Sequence, residues 1–232
     1  PQRASILRLR QKLEAGQPVV VAVFGGSITR GHQLELDAPP GTSSAVLENE
    51  YTWGGHLVRW LNEKFPVDVG RAPHSLQNYA KGASGSRYAS LHYMALMHGH
   101  PPADLVLCEF ATNDASGYSE CNTPGNCRPT AVYTEQLVRG LLSMHAGSKP
   151  PMVVFLEFQS GFIGGGSPVL AARHISAVAQ HARVCKWYSL PQWSLREALI
   201  ALGPGATDSV WCVTRDKDMP PCMPHAYRAH PP

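Results

Sequence analysis

Ser27 lies in the run Phe24-Gly25-Gly26-Ser27-Ile28-Thr29, directly behind the β-branched stretch Val19–Val23. A serine at a turn from a buried strand into a helix exposes its hydroxyl. Its own backbone N–H then faces the place where an oxyanion would develop, and the helix start favours negative charge there. The same pattern also suits a helix N-cap behind a glycine turn. No Gly-Lys-Ser/Thr follows, which argues against a phosphate loop. Three further stretches carry chemistry. Ala111-Thr112-Asn113-Asp114 closes a second apolar run, so Asn113 can aim its amide at the same point as the Ser27 N–H, with Asp114 capping or bracing the loop. Both residues also suit an ordinary turn. The stretch Asn78–Ser86 contains Gly82 and Gly85, at which a backbone can approach a ligand and donate a bare N–H. His230, just before the end of the chain, is the residue type that serves as general base for a serine nucleophile.

Elements must bring these residues together. Val19–Phe24, Asp104–Phe110 and Met152–Phe158 read as buried parallel strands, with shorter strands expected near Ser75–Ala80 and Lys186–Leu190. Ile6, Leu9 and Leu13 form a helical stripe that stops at Gly16. Trp53, Leu57, Trp60 and Leu61 form another, and Tyr133, Leu137, Leu141 and Met144 a third, behind Pro129. The pattern repeats from Val169 to Val184 after Pro168. Strands alternating with helices predict a three-layer α/β/α sandwich with a central parallel sheet. Two long loops, Gly31–Asn49 and Ala115–Arg128, leave the carboxyl ends of strands, where open α/β sheets place ligands.

At 232 residues, and with no repeat, low-complexity tract or linker, one domain over 1–232 is expected. Hydrophobic residues make up 44% and charged residues 16%, a balance that excludes a disordered chain. The formal charge of +3 is scattered, so nothing points to nucleic acid. No apolar run approaches the roughly 18 residues of a membrane span.

The order Gly-Gly-Ser-Ile-Thr, glycine loop, Ala-Thr-Asn-Asp and C-terminal His-Pro resembles the SGNH hydrolases, or GDSL-type esterases and lipases, over nearly the whole chain. The resemblance implies a flavodoxin-like SGNH hydrolase fold and a serine ester hydrolase. It implies Ser27 as nucleophile, Gly85 and Asn113 as oxyanion donors beside the Ser27 N–H, and His230 as base. Gly85 is preferred to Gly82 because a serine follows it, as in many relatives. Such chemistry needs no metal or organic cofactor. Three departures stand out. The family's Gly-Asp-Ser reads Gly25-Gly26-Ser27 here, its Gly-x-Asn-Asp reads Ala111-Thr112-Asn113-Asp114, and its Asp-x-x-His has Tyr227 in the aspartate's place. Asp218, ahead of Asp216, is the expected orienting acid, and a Ser-His dyad is the alternative. The chain stops just past His230, so the family's final helix is expected to be cut short. Secretory members of the family often deacetylate polysaccharides. Acetyl or other short acyl esters of a carbohydrate are therefore the expected substrates, with Tyr51, Trp53, Tyr118 and Trp193 as aromatic surfaces for a sugar. A non-catalytic glycan- or partner-binding module and an O-acyltransferase are the competing functions.

The six cysteines bear on location. Cys121 and Cys127 flank a Pro-Gly turn, a spacing that suits a local disulfide, and Cys212 with Cys222 suits a second. Cys108 sits in an apolar run and reads as a free core thiol. No second Cys/His pair stands at zinc-ligand spacing. The chain begins at Pro1 without Met, as in a trimmed or mature fragment whose targeting segment has been removed. Together these predict a secreted or secretory-lumen protein. Mass spectrometry after alkylation without reductant is expected to find both Cys121 and Cys127 unlabelled. Two alkylated thiols there would remove the secretory assignment.

Overall fold

The β-branched run Val20–Gly25 forms strand β1 at the centre of a parallel sheet in the computed structural model. The structure describes residues 2–31, 41–43, 46–115, 130–144, 149–158, 168–195 and 198. The other strands are β2 (Ser75–Asn78), β3 (Leu105–Glu109), β4 (Met152–Glu157) and β5 (Gln192–Ser194). Their order is β2-β1-β3-β4-β5, and every pairing is parallel. The helices are α1 (Gln2–Glu14), α2 (Ser27–Arg30), α3 (Trp53–Lys64), α4 (Ser86–Met97), α5 (Ala111–Ala115), α6 (Thr130–Ser143) and α7 (Pro168–Tyr188). A π-helical turn at Leu47–Tyr51 precedes α3.

Side chains alternate across a strand, so each central strand feeds two cores. Ala22, Phe24, Val106, Cys108, Val153 and Phe155 pack with Ala89 of α4, Leu137 and Leu141 of α6 and Val184 of α7. Val21, Val23, Leu105, Leu107, Val154 and Leu156 pack with Leu9 and Leu13 of α1 and Val58 and Leu61 of α3. Near-continuous apolar strands are what a sheet covered on both faces requires. This is the expected three-layer α/β/α sandwich, with the flavodoxin-like strand order. Cys108 and Cys185 are buried free thiols. Burial pushes Cys108 well above the ordinary thiol range and Cys185 to about 12, so both stay uncharged.

Two helix ends show what sequence signals can and cannot mark. At the end of α1, Gly16 takes φ 58°, its N–H reaches Leu13 O, and Gln17 N–H reaches Lys12 O. This is a Schellman turn with glycine at its left-handed position. The same turn ends α7 without glycine. Ser189 takes φ 54°, its N–H donates to Lys186 O, and Leu190 N–H donates to Cys185 O at 2.8 Å. Leu190 and Cys185 are both buried in one core, the apolar contact that accompanies this motif. Hence Lys186–Leu190, expected as a strand, is helix end and turn, and the last strand lies at Gln192–Ser194. Helix α4 was not visible in the apolar pattern. Its buried residues are Ser86, Ala89, Ser90 and Met97, small or polar except the last.

Cys121, Cys127, Cys212, Cys222, Tyr118, Tyr227, Asp216, Asp218 and His230 lie outside the described residues. Among the described residues, no helix is long and apolar enough to cross a membrane. Because left-handed backbone strains a residue with a Cβ, Ser189→Gly is expected to stabilise the protein by about 1 kcal/mol. The melting temperature should rise by about 2–4 °C. Gly16→Ala should do the opposite, since its Cβ would also fall 2.4 Å from Asp68 Oδ1.

Candidate active site

The strand order reverses between β1 and β3, and the crevice outside their carboxyl ends is where open α/β sheets bind ligands. Gly25, Gly26 and Ser27 leave β1 at that point, while Ala111–Ala115 leaves β3. Ser27 is half-buried and opens α2, whose turn is closed by Arg30 N–H to Gly26 O at 3.0 Å and Gly31 N–H to Ser27 O at 3.1 Å. Gly26 has φ −90° and ψ −150°, a backbone open to any residue. Close approach is what excludes a side chain there. A Cβ on Gly26 would fall 2.0 Å from Asn113 Nδ2, and one on Gly25 2.3 Å from Thr29 Oγ1. Asn113 of α5 therefore lies directly against the serine turn.

Gly85 is held from both sides by consecutive residues of α5. Asn113 Nδ2 donates to Ser84 O at 2.7 Å, and Ser86 N–H donates to Asp114 Oδ1 at 2.9 Å. A Cβ on Gly85 would fall 2.1 Å from that same Asp114 Oδ1. A Cβ on Gly82 would meet nothing within 4 Å. Lys81 N–H, donating to Gly25 O at 3.0 Å, ties this loop to the end of β1. Ser27, Gly85 and Asn113 thus meet at one crevice, and Asp114 braces the loop as its position in the sequence suggested.

Beneath the crevice lie charged groups that sequence reasoning did not single out. Glu109, at the end of β3, is buried, and its Oε2 accepts from Thr29 Oγ1 at 2.9 Å. Trp53 Nε1 lies 3.4 Å from the same Thr29 hydroxyl, and its ring meets Phe158 edge-on. Burial raises the Glu109 carboxyl, opposed by the Thr29 hydroxyl. The charges of Glu157 and Asp114 push it up and the Gly26 N–H holds it down, leaving it at about 7. His181 of α7 is fully buried, with Nε2 2.9 Å from Asp114 Oδ2 and Nδ1 3.1 Å from Glu157 Oε1. Burial alone would lower His181, but the two carboxylates, Glu157 foremost, raise it to about 10. Gln192 Nε2 donates to Glu157 Oε1 at 2.8 Å. The only trace of this cluster in the sequence is a glutamate inside each of two apolar strands. Among the described residues, no cluster is arranged to hold a metal ion. Of the aromatic surfaces, Trp193 is exposed, while Tyr51 and Trp53 are half-buried.

No protein-family model and no curated protein sequence matches this chain. Solved structures do match it. A two-domain esterase active on acetylated mannans, co-crystallised with mannopentaose, superposes with a TM-score of 0.55 at 20% identity over 86% of this chain. The chain spans 45% of the length of that esterase. A carbohydrate acetylesterase from Sinorhizobium meliloti matches with a TM-score of 0.52 at 16% identity, over 76% of this chain and 83% of its own. The native aryl esterase of M. smegmatis matches with a TM-score of 0.53, also at 16% identity and over 76% and 83% of the two chains. The chain has the fold of these esterases.

The buried ionisable groups predict how stability follows pH. Glu109 titrates at about 7 in the fold against an ordinary 4.5, so the stability it contributes is present at low pH and lost as pH rises through 7. For His181, raised from 6.5 to about 10, the loss comes between those values. Glu109→Gln is expected to flatten the melting temperature profile between about pH 4.5 and 7 and leave the alkaline limb unchanged. Thermal melts across pH test this. A variant profile parallel to that of the native protein below pH 7 would assign the acid limb elsewhere.

Proposed function

We propose that this chain is a serine ester hydrolase, a divergent member of the SGNH family, acting on acetyl or other short acyl esters of a carbohydrate. The observation that carries the reading is the packing of Asn113 against the Ser27 turn, with Gly85 pinned beside it by Asn113 and Asp114. Two strands, one loop and three unrelated stretches of sequence deliver an hydroxyl and polar donors to one crevice. The preference for Gly85 over Gly82 is supported by the same contacts, since Gly85, unlike Gly82, lies against Asp114.

In this mechanism Ser27 Oγ attacks the acyl carbonyl while His230 takes the hydroxyl proton. The Ser27 and Gly85 N–H groups and the Asn113 amide receive the oxyanion. Collapse breaks the ester C–O bond, and His230 returns the proton to the leaving alcohol. Water, deprotonated by His230, then attacks the acyl-serine; collapse breaks the bond from the acyl carbon to Ser27 Oγ, the carboxylic acid leaves, and His230 returns the proton to Ser27 Oγ. Asp218 orients His230. The carbohydrate acetyl-ester reading is supported by the fold shared with an acetylated-mannan esterase and a carbohydrate acetylesterase. A secretory location is part of the proposal and rests on the Cys121–Cys127 spacing.

Ser27→Ala is expected to abolish both p-nitrophenyl acetate hydrolysis and fluorophosphonate labelling without unfolding the protein. Retained activity with equal labelling would remove Ser27 from the mechanism. Asn113→Ala should lower kcat by about 10²–10³ with little change in KM, the signature of a donor used in the transition state. An unchanged kcat would reduce Asn113 to a loop anchor. Product that forms only with an added alcohol acceptor would point to acyl transfer instead.

A further inference from the structure

We propose that His181 is the positioning residue of the oxyanion loop: it clamps Asp114 Oδ2, so that Oδ1 is aimed at the Ser86 N–H and the Gly85–Ser86 peptide is held beside Asn113. The inference rests on the esterase reading for its catalytic consequence and on the contacts alone for the clamp. Asp114 has two carboxylate oxygens and uses each for one task. Oδ1 accepts the Ser86 N–H at 2.9 Å, and Oδ2 faces His181 Nε2 at 2.9 Å. Without a donor at Oδ2 the carboxylate is free to rotate, and its contact with Gly85 moves with it.

The ring itself is fixed from behind. Its Nδ1 faces Glu157 at 3.1 Å, and Glu157 is gripped by Gln192 Nε2 at 2.8 Å. A neutral imidazole has one N–H and satisfies one carboxylate only. Contact with carboxylate oxygens at both nitrogens therefore fits the doubly protonated ring, an internal cation between two anions. The clamp joins α5, α7, β4 and β5 to a loop that follows β2, so the far half of the sheet sets the geometry of the near half's donors. The polar partners of His181 are Glu157 and Asp114, so it acts on the loop through Asp114. A displacement of about 1 Å at a transition-state donor is enough to cost up to about a hundredfold in rate.

The test uses two variants of the full chain: His181→Gln, and His181→Gln combined with Glu157→Gln, which leaves one fewer buried charge. Each is expected to lower kcat on p-nitrophenyl acetate at least about tenfold, with KM within about twofold. In ¹H–¹⁵N spectra the Gly85 and Ser86 amide peaks should move. A kcat within about twofold of the native value in a folded variant overturns the proposal, as do unmoved Gly85 and Ser86 peaks. Should neither variant fold, ¹⁵N-histidine spectra of the native protein decide: a protonated Nε2 on His181 at pH 7 supports the clamp, and an unprotonated Nε2 overturns it. A native protein without esterase activity, or an active Ser27→Ala variant, would sink the esterase reading instead. The amide peaks would then still decide the clamp.

Discussion

A carboxylate that is nearly fully buried has to receive a donor at each oxygen, because several kcal/mol of hydration are lost for every buried ion. Asp114 is such a group, with a side chain only 2% exposed. Much of the architecture around the crevice follows from satisfying it. Its Oδ1 needs an N–H, which the start of α4 supplies through Ser86. Its Oδ2 needs a cation or a hydrogen, which α7 supplies through His181. A buried cation needs a second anion, and β4 supplies Glu157. Glu157 accepts a further bond from Gln192 on the last strand. Burial raises the nearby Glu109, and the charges of Glu157 and Asp114 raise it further.

The crevice between β1 and β3 is common to every sheet with this strand order. What makes it particular here is the absence of a side chain at Gly26. The family pattern has aspartate at this position, but with Asn113 where it stands there is no room for a Cβ. The turn still meets a carboxyl, brought from β3 by Glu109 through Thr29 and the Gly26 N–H. Asn113 lies closer to the serine turn than a substituted residue at 26 would permit. The departure from Gly-Asp-Ser and the position of Asn113 are therefore one structural fact, seen once in sequence and once in space.

The sequence by itself determined the three central strands of the sheet. Runs such as Val19–Phe24 and Met152–Phe158 are too apolar to sit anywhere but between two layers, and their spacing leaves room only for crossover helices. It also marked Ser27 and Asn113, because polar residues straight after buried strands break an otherwise apolar pattern, and it marked the glycine loop Asn78–Ser86, within which only the family resemblance preferred Gly85. It marked the end of α1, since Gly16 is the residue type a left-handed turn prefers. It hid the end of α7, where Ser189 takes the same conformation without glycine and the apolar Leu190 suggested a strand. Helix α4 was hidden too, because its packed face is built of Ser86, Ala89 and Ser90, whose small size rather than their hydrophobicity suits the contact. Only the tertiary structure decided the roles of Glu109, Glu157 and His181. An ionisable residue in an apolar segment gives no sign of its partner when that partner is 24 or 67 residues away, as Glu157 and Asp114 are from His181. Such pairs are made by strand order and helix packing, and those are set by the whole core rather than by any local run of residues.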